Sequence, residues 1–401
     1  MVKKRAKIQP ARWHASQESD ELIFAVCDRY FSQLGRSPKD KERDSKNGDH
    51  AETRERQHRG AASSVADWVQ QVKGRADITR EKIYPMFWEA CNRGFLLLQP
   101  PAEHHLRTKL EDSFFLRKHP GEITVVNVSG ESAAQHVTST AADRIVELIE
   151  RVWKEKQEKY PGNPEKQAVH LGMGAGFATM LVARRLAYQI RSGAAVPQIV
   201  LHAISSGGFL PNEPYKSPST YFSYFDPALM NVKFVALFSA TVVSNDDYEN
   251  QKGNPAIRYS FEKRDEIDII VTSLASAKHK HGLLGQYLTH LVEQGLISQS
   301  VLDTMHKAGW VGDVQFRPYS VEGPLPEDVC PVRAVTLFEL DELVQIAKDR
   351  TNGKHVVLVA GPCGECGATK RNALIPLLAN DKLRLWTHLI VDAKTAKELL
   401  G

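Results

Sequence analysis

A glycine-rich segment, Gly172-Met173-Gly174-Ala175-Gly176, has the residue types and spacing best suited to binding an anion. It follows an apolar run and precedes an amphipathic stretch, which predicts a turn between a strand and a helix. Glycines let the backbone approach a ligand, and the first amides of a helix lack partners, so a phosphate would gain hydrogen bonds and a favourable helix dipole there. We therefore predict phosphate contacts at Gly172, Gly174, Gly176 and Thr179. Tight packing of a strand against a helix is the alternative, because it also requires small residues.

Two further turns of this kind follow predicted strands. In the first, Ser206 and Gly207 could hold sugar or phosphate oxygens through a hydroxyl and free amides, although an ordinary turn explains them equally well. The second turn leads to Lys370 at the start of a helix, where the ammonium would supply a point charge for phosphate. Glu322 could accept hydrogen bonds from sugar hydroxyls, or cap a turn. Since a parallel sheet brings such turns to one edge, we predict a single ligand site.

The cysteines and histidines with reactive side chains are better explained by structural roles than by chemistry. The segment Cys363-Gly364-Glu365-Cys366 has the spacing of half a zinc site or of a redox pair, but structural zinc needs four ligands and no second pair follows this spacing. The histidines His279 and His281 lie near a predicted strand end, where solvated surface is favoured over catalysis. We predict no metal, no cofactor and no catalytic residue.

Composition narrows the class of protein. A chain of 401 residues with 42% hydrophobic positions can bury a large core and form two or three domains. No apolar run is long enough to cross a bilayer, and the basic first residues lack the apolar core of a signal peptide, so we expect a cytoplasmic protein without a membrane partner. The five cysteines do not suggest a disulfide framework. A net charge of +4 neither requires nor excludes nucleic acid.

The first hundred residues combine short helices with a polar insertion. Residues 36–64 are polar and charged, so they cannot bury enough surface to order themselves. Helical spacing of apolar residues predicts helices over 21–34 and 65–72, and a third helix that ends at Gly94 and is followed by a strand. We predict that Trp68, Phe87 and Trp88 belong to the core of this unit rather than to a base-stacking platform.

Beyond residue 106, short β-rich runs alternate with helical segments. This alternation predicts an α/β domain with a parallel sheet covered by helices, whose ligands lie outside the carboxyl ends of the strands. The predicted strands are 123–128, 168–171, 199–204, 232–238, 267–271, 356–360 and 385–391, and the predicted helices include 140–156, 179–191, 371–378 and 393–400.

Taken in order, these segments resemble the SorC family of bacterial transcriptional regulators, whose sugar-binding effector domain is related to sugar-phosphate isomerases and deaminases. The similarity extends over nearly the whole chain and rests on the ordered series rather than on any single motif. Its strongest part is the closing pattern of glycine turn, lysine, helix, strand, aspartate and helix. The matching segments are 171–179, 268–276, Ala308-Gly309-Trp310-Val311-Gly312-Asp313-Val314, Glu322-Gly323, 359–361, Lys370, 373–374 and 389–396.

The resemblance implies a sugar-phosphate isomerase-like α/β domain over residues 106–401 and a winged helix-turn-helix-like unit over residues 1–105, with the insertion at 36–64. It implies a non-enzymatic regulator that binds a phosphorylated sugar and operator DNA and forms a homo-oligomer, either a dimer or a tetramer. By similarity to the recognition helix, the expected DNA contacts are Thr79, Arg80 and Lys82, and Arg93 could touch phosphates as well.

Three departures from the family pattern affect these expectations. The insertion interrupts the helix-turn-helix, and Pro85 falls inside the recognition helix at a cost of roughly 3 kcal/mol. The loop around Cys363–Thr369 is enlarged and reshapes the predicted pocket. Two alternatives therefore stay open: a sugar-phosphate isomerase or deaminase, and a sugar-binding protein that no longer binds DNA. No carboxylate and histidine stand at a recognisable spacing for proton transfer, which disfavours the enzyme.

Overall fold

The computed structural model describes residues 14–34, 60–93, 95–96, 100–116, 121–130, 132–191, 197–206, 213–279, 281–349 and 353–401. The chain forms two compact units, Met1–Leu98 and Gln99–Gly401. Of the predicted insertion at 36–64, residues 36–59 lie outside the described residues, whereas 61–64 belong to a helix, so the prediction that they cannot order themselves is wrong. Gly94 and most of the predicted strand after it also lie outside the described residues. Helix His104–Ser113, which the predicted domain boundary at 105 would divide, lies wholly within the larger unit.

The described residues of the smaller unit form three α-helices, α1 (Asp20–Leu34), α2 (Ala61–Lys73) and α3 (Arg80–Asn92). Helix α2 ends where Gly74 adopts a left-handed backbone with φ of 65°, a conformation that favours glycine. Helix α3 continues through Pro85, which is exposed and removes one hydrogen bond from the turn. The helix is retained because one face of it is fully buried in the core of the unit. The buried residues on that face are Ile83, Met86 and Ala90.

The larger unit contains eleven strands among its described residues. They are β1 (Glu122–Val126), β2 (Val169–Met173), β3 (Ile199–Ala203), β4 (Val232–Val235), β5 (Val242–Ser244), β6 (Ile269–Ser276), β7 (Gly312–Val314), β8 (Arg317–Tyr319), β9 (Val332–Ala334), β10 (His355–Ala360) and β11 (His388–Asp392).

Twelve α-helices accompany these strands in the described part of the larger unit. They are α4 (His104–Ser113), α5 (Ala133–Lys159), α6 (Pro164–Gln167), α7 (Phe177–Arg191), α8 (Pro218–Tyr221), α9 (Tyr248–Gly253), α10 (Pro255–Glu262), α11 (Leu283–Glu293), α12 (Gln299–Lys307), α13 (Leu340–Lys348), α14 (Arg371–Ala379) and α15 (Ala393–Leu400).

Seven strands form a parallel sheet in the order β1-β11-β10-β6-β2-β3-β4. The antiparallel hairpin β7–β8 extends β6, and β5 pairs with β9 in a separate small sheet. Alternate residues of each central strand enter two different cores, so the sheet is buried on both faces. Helices α5 and α7 cover one face, whereas α4, α13, α14 and α15 cover the other. The predicted helix-covered parallel sheet is confirmed, as are its seven predicted strands.

The strand order reverses between β2 and β6. After β2 the chain adds β3 and β4 towards one edge, and after β6 it adds β10 and β11 towards the other. The connections that leave these two neighbouring strands therefore diverge and leave a crevice at their carboxyl ends. Such a switch point is where open α/β sheets bind their ligands.

Candidate functional site

A cavity occupies this switch point. It encloses about 920 Å³ of space between atoms, the open solvent at its mouth included. Four segments supply most of its wall: the start of α7, the end of β6, the β7–β8 hairpin and the loop after β10. The side chains most relevant to ligand chemistry are those of Lys216, Ser273, His279, His281, Asp313, Gln315, Glu365 and Lys370.

The glycine turn has mainly a structural role beside the cavity, because its described amides donate to protein groups. Gly172 lies within β2 away from the cavity, and a Cβ there would lie 2.7 Å from Cγ2 of Ile204. The amide of Gly174 donates to the Val271 carbonyl over 2.9 Å, and the amide of Gly176 donates to the Lys216 carbonyl over 2.9 Å. Gly176 does line the cavity, and its φ of 126° favours glycine. The packing interpretation therefore accounts for Gly172 and Gly174.

The unpaired amides lie one step further along the chain, in the first turn of α7. Among the described residues, the backbone amides of Phe177 and Ala178 have no hydrogen-bond acceptor, and both residues line the cavity. Thr179 is fully buried behind them, and its Oγ1 donates to the Gly176 carbonyl over 3.0 Å. The helix thus presents free donors and the positive end of its dipole to the cavity. The hydroxyl of Ser273, on β6, lines the same space.

Lys370 and Asp313 are two ionisable residues in the wall of the cavity whose pKa values are shifted by burial. The Lys370 Nζ donates to the Leu274 carbonyl over 2.7 Å, and burial lowers the pKa of this amine. Asp313 is 5% exposed, and burial raises the pKa of its carboxyl to about 7, against the opposing effects of Lys370 and of the Phe316 amide. A carboxyl in this state is neutral or charged near pH 7, depending on what binds beside it.

Glu365 links three segments at the mouth of the cavity. Its Oε1 lies 3.2 Å from Lys216 Nζ, and its Oε2 lies 2.7 Å from His281 Nδ1. His279, from the same segment as His281, hydrogen-bonds the Thr369 carbonyl over 3.0 Å. The two histidines line the cavity and remain partly exposed to solvent, His281 with 35% of its side chain. The loop that carries Glu365 also carries Cys363, which lines the cavity, and Cys366, which is exposed.

Two other predicted ligand contacts, Ser206 and Glu322, do not line the cavity. Ser206 is buried, and its Oγ donates to the Ala240 carbonyl over 3.1 Å. Glu322 is exposed in a turn, where its amide donates to the Ser320 hydroxyl over 3.2 Å. Gly207 lies outside the described residues.

The predicted DNA contacts lie at the amino end of α3. Thr79 precedes the helix, Arg80 begins it with an exposed side chain, and the Lys82 Nζ lies 3.5 Å from Asp77 Oδ2. Arg93 has a different role from the one expected. It is 8% exposed and donates to Glu89 and Asp20 and to backbone carbonyls, so it stabilises the unit from within.

Of the three aromatic residues predicted to be core in this unit, Trp88 is exposed. The accessible fraction of its side chain is 56%, whereas Trp68 and Phe87 pack against the core as predicted. The exposed positions along α3 are Arg80, Glu81, Tyr84, Pro85 and Trp88. This face therefore carries one cation, one anion and two aromatic rings.

The described residues offer neither a metal centre nor a membrane-spanning helix. Within the described ranges, no group of three or more His, Cys, Asp or Glu side chains could hold a metal ion. In the same part of the chain, no helix combines the length and apolar character needed to cross a membrane.

The residues that sequence reasoning missed are Asp313, Gln315, Lys216 and Glu365. A local signal exists only for Asp313, which follows Gly312 in a segment already noted for its family resemblance. The others reach the cavity through contacts between segments far apart in the chain.

Solved structures share this fold, although no protein-family model and no curated protein matches the sequence. The full-length sorbitol operon regulator SorC from Klebsiella pneumoniae aligns with 96% of this chain and 100% of its own, at 15% identity and a TM-score of 0.55. A domain of a possible sugar-binding transcriptional regulator from Arthrobacter aurescens TC1 aligns with 74% of this chain and 97% of its own, at 15% identity and a TM-score of 0.54.

A third structure, the probable sor operon regulator from Shigella flexneri, aligns with 74% of this chain and 98% of its own, at 16% identity and a TM-score of 0.51. At these identities the similarity shows the fold. It confirms the architecture that the sequence resemblance implied.

Proposed function

We propose that this protein is a ligand-responsive transcriptional regulator whose larger unit binds a phosphorylated sugar. The observation that carries the proposal is the pairing, in one cavity at the switch point, of the free α7 amides at Phe177 and Ala178 with the ammonium of Lys370. Free amides and a nearby cation are the donors that a phosphate requires. The similarity of fold to a full-length sorbitol operon regulator supports the regulatory part.

Two further groups in the cavity could form hydrogen bonds with the hydroxyl groups of a sugar. The Ser273 hydroxyl can donate or accept a hydrogen bond, and a neutral Asp313 carboxyl can do both at once. A phosphate beside Asp313 would favour its neutral form, because two negative charges in a buried site repel each other. The same phosphate would favour the charged form of Lys370. Ligand binding in this account therefore replaces the Asp313 carboxylate by the phosphate as the anion beside Lys370.

The smaller unit is proposed to contact DNA weakly. On the exposed face of α3, Arg80 is accompanied by Glu81 and by aromatic rings, whereas DNA backbone binding depends on clustered cations. We expect a gel shift with the DNA upstream of the protein's own coding sequence to show salt-sensitive binding that weakens in the Arg80→Ala variant. Binding that the variant leaves unchanged would remove Arg80 from the interface. No shift at low salt would leave a sugar-binding protein without DNA contact.

The test of the sugar-phosphate site is calorimetric titration of the full chain and its Lys370→Met variant with ribose 5-phosphate, glucose 6-phosphate, fructose 6-phosphate and sorbitol 6-phosphate. Methionine keeps the length of the side chain and removes its charge. Since hydrogen bonds to charged groups contribute about 1.5–3 kcal/mol, affinity should fall about 10- to 100-fold.

The matched control is Lys394→Met, which removes an exposed lysine outside this cavity and should leave affinity unchanged. Equal affinity in the wild type and Lys370→Met would contradict the assignment of Lys370. Absence of binding to every phosphorylated sugar would contradict the proposed ligand class.

A second function, proton transfer on a sugar phosphate, is favoured by the near-neutral pKa of Asp313. An isomerase would exchange a carbon-bound proton of its substrate with solvent. Proton NMR of the same four sugar phosphates in D₂O, with protein added, would show this as loss of a C–H signal. An Asp313→Asn variant that abolishes the exchange would establish the enzyme, and unchanged spectra with demonstrated binding would establish a sensor.

A further inference from the structure

The two residues that join β7 to β8 adopt an unusual backbone conformation. Gln315 has a φ of 50° and Phe316 a φ of 62°, and they form a two-residue hairpin turn between the paired residues Val314 and Arg317. Turns with two positive φ values strongly favour asparagine and glycine. Glutamine and phenylalanine are strained there, so the surrounding structure must hold the turn in place.

Contacts of the residues on both sides of the turn hold it in place. Asp313 accepts a hydrogen bond from the Phe316 amide. Immediately after the turn, the Arg317 Nη2 donates to Glu339 Oε1 over 2.7 Å, and the Arg317 Nε lies 2.6 Å from Oε2 of the same carboxylate without a hydrogen bond to it. Hydrogen bonds between charged groups are stronger than those between neutral groups. The hairpin is therefore held on both sides while its strained tip faces the cavity.

The tip places an unpartnered amide in the wall of the cavity. Gln315 lines the cavity and is 5% exposed, yet neither its Oε1 nor its Nε2 has a hydrogen-bond partner within the described part of the chain. A buried polar group without partners destabilises the folded protein, and a bound ligand could supply the missing hydrogen bonds. Phe316 lines the cavity beside it and contributes an apolar ring.

We propose that Gln315 and Phe316 form a subsite for a neutral hydroxyl group of the ligand, with Gln315 as a residue that determines which sugar binds. A hydroxyl both donates and accepts, so it can satisfy Nε2 and Oε1 together, which a phosphate oxygen cannot. The apolar ring suits the C–H face of a sugar. This inference rests on the proposed function and assigns the sugar end of the same ligand.

The test is calorimetric titration of the wild type, Gln315→Leu and Gln315→Asn with the four sugar phosphates, with single-deoxy analogues of whichever binds, and with inorganic phosphate. Leucine has a similar size and lacks the amide, so affinity for the sugar phosphate should fall at least about 10-fold while affinity for inorganic phosphate stays unchanged. The wild type should discriminate against one deoxy analogue, and Gln315→Leu should lose that discrimination.

Gln315→Asn provides the second readout. Asparagine suits the positive φ but shortens the side chain, so the unliganded melting temperature should rise while affinity for the sugar phosphate falls. A merely structural role for Gln315 would not lower affinity in a variant that is more stable. Gln345→Leu, an exposed glutamine on α13, is the control and should change neither quantity.

Two results separate the failure of this inference from failure of the proposed function. If the wild type binds a sugar phosphate and both Gln315 variants bind it equally well, the subsite is wrong and the phosphate site stands. If the wild type binds inorganic phosphate but no sugar phosphate, both the subsite and the proposed ligand class are wrong.

Discussion

Replacing Asp313 by asparagine removes a buried acidic group while preserving the shape of the side chain. Burial raises the pKa of this carboxyl from 3.8 to about 7, against the opposing effects of Lys370 and of the Phe316 amide. The folded protein therefore keeps the proton over a pH range in which the unfolded chain has already released it. Stability due to the neutral carboxyl is fully present below pH 3.8 and is lost as the pH rises to 7.

The size of the effect follows from that interval. Each pH unit between the two pKa values removes about 1.4 kcal/mol of stability, so the full loss is about 4 kcal/mol. Asparagine does not titrate, so the variant avoids this loss. Between pH 5 and pH 8 the stability of Asp313→Asn relative to the wild type should rise by about 2–3 kcal/mol.

The measurement is urea denaturation of both proteins at pH 5, 6, 7 and 8, followed by near-ultraviolet circular dichroism. Asp328→Asn serves as the control, because Asp328 is exposed on the surface. A difference between Asp313→Asn and the wild type that stays constant from pH 5 to pH 8 would refute the reasoning, since it would mean that Asp313 ionises alike in both states.

Two other predictions test the walls of the cavity. Gly312→Ala would place a Cβ 2.6 Å from the Ala275 carbonyl oxygen and should destabilise the protein by about 2–3 kcal/mol in urea denaturation. The control is Gly253→Ala, which should be tolerated because no atom lies within 4 Å of the added Cβ. Equal stabilities of the two variants would contradict the packing argument. Glu365→Gln weakens the contact with His281, so amide hydrogen exchange at 363–367 should accelerate. The melting temperature of the protein should change by about a degree or less. Unchanged exchange would show that the carboxylate does not hold the loop.

The sheet could be predicted from the sequence because its signals are local. A buried parallel strand is a short apolar run, and the run at 356–360 became β10 with the predicted carboxyl end. The glycine turn was placed at the right strand end, but the free amides beside the cavity lie a few residues further along the chain, at Phe177 and Ala178. Whether Gly174 binds a ligand or donates to Val271 depends on the neighbouring strand β6, which is distant in the chain.

The rest of the site could not be predicted, because it depends on contacts between distant segments. Asp313 is buried only because β7 pairs with β6, and nothing in its local sequence specifies that pairing. Likewise, Glu365 gains its role from two residues on other segments, Lys216 and His281. The same limit explains Trp88, whose helical spacing suited a core position although it lies on the exposed face of α3.

Thermal melting of the full chain tests the central claim most directly. A ligand that binds only the folded state raises the melting temperature, by an amount equivalent to about 2.7 kcal/mol of stabilisation at a hundred times its dissociation constant. The account predicts a rise with at least one sugar phosphate and none with the same sugar lacking the phosphate, with the rise reduced in Lys370→Met. Equal rises with a sugar and its phosphate, or no rise with any of them, would contradict a phosphorylated-sugar site at the switch point.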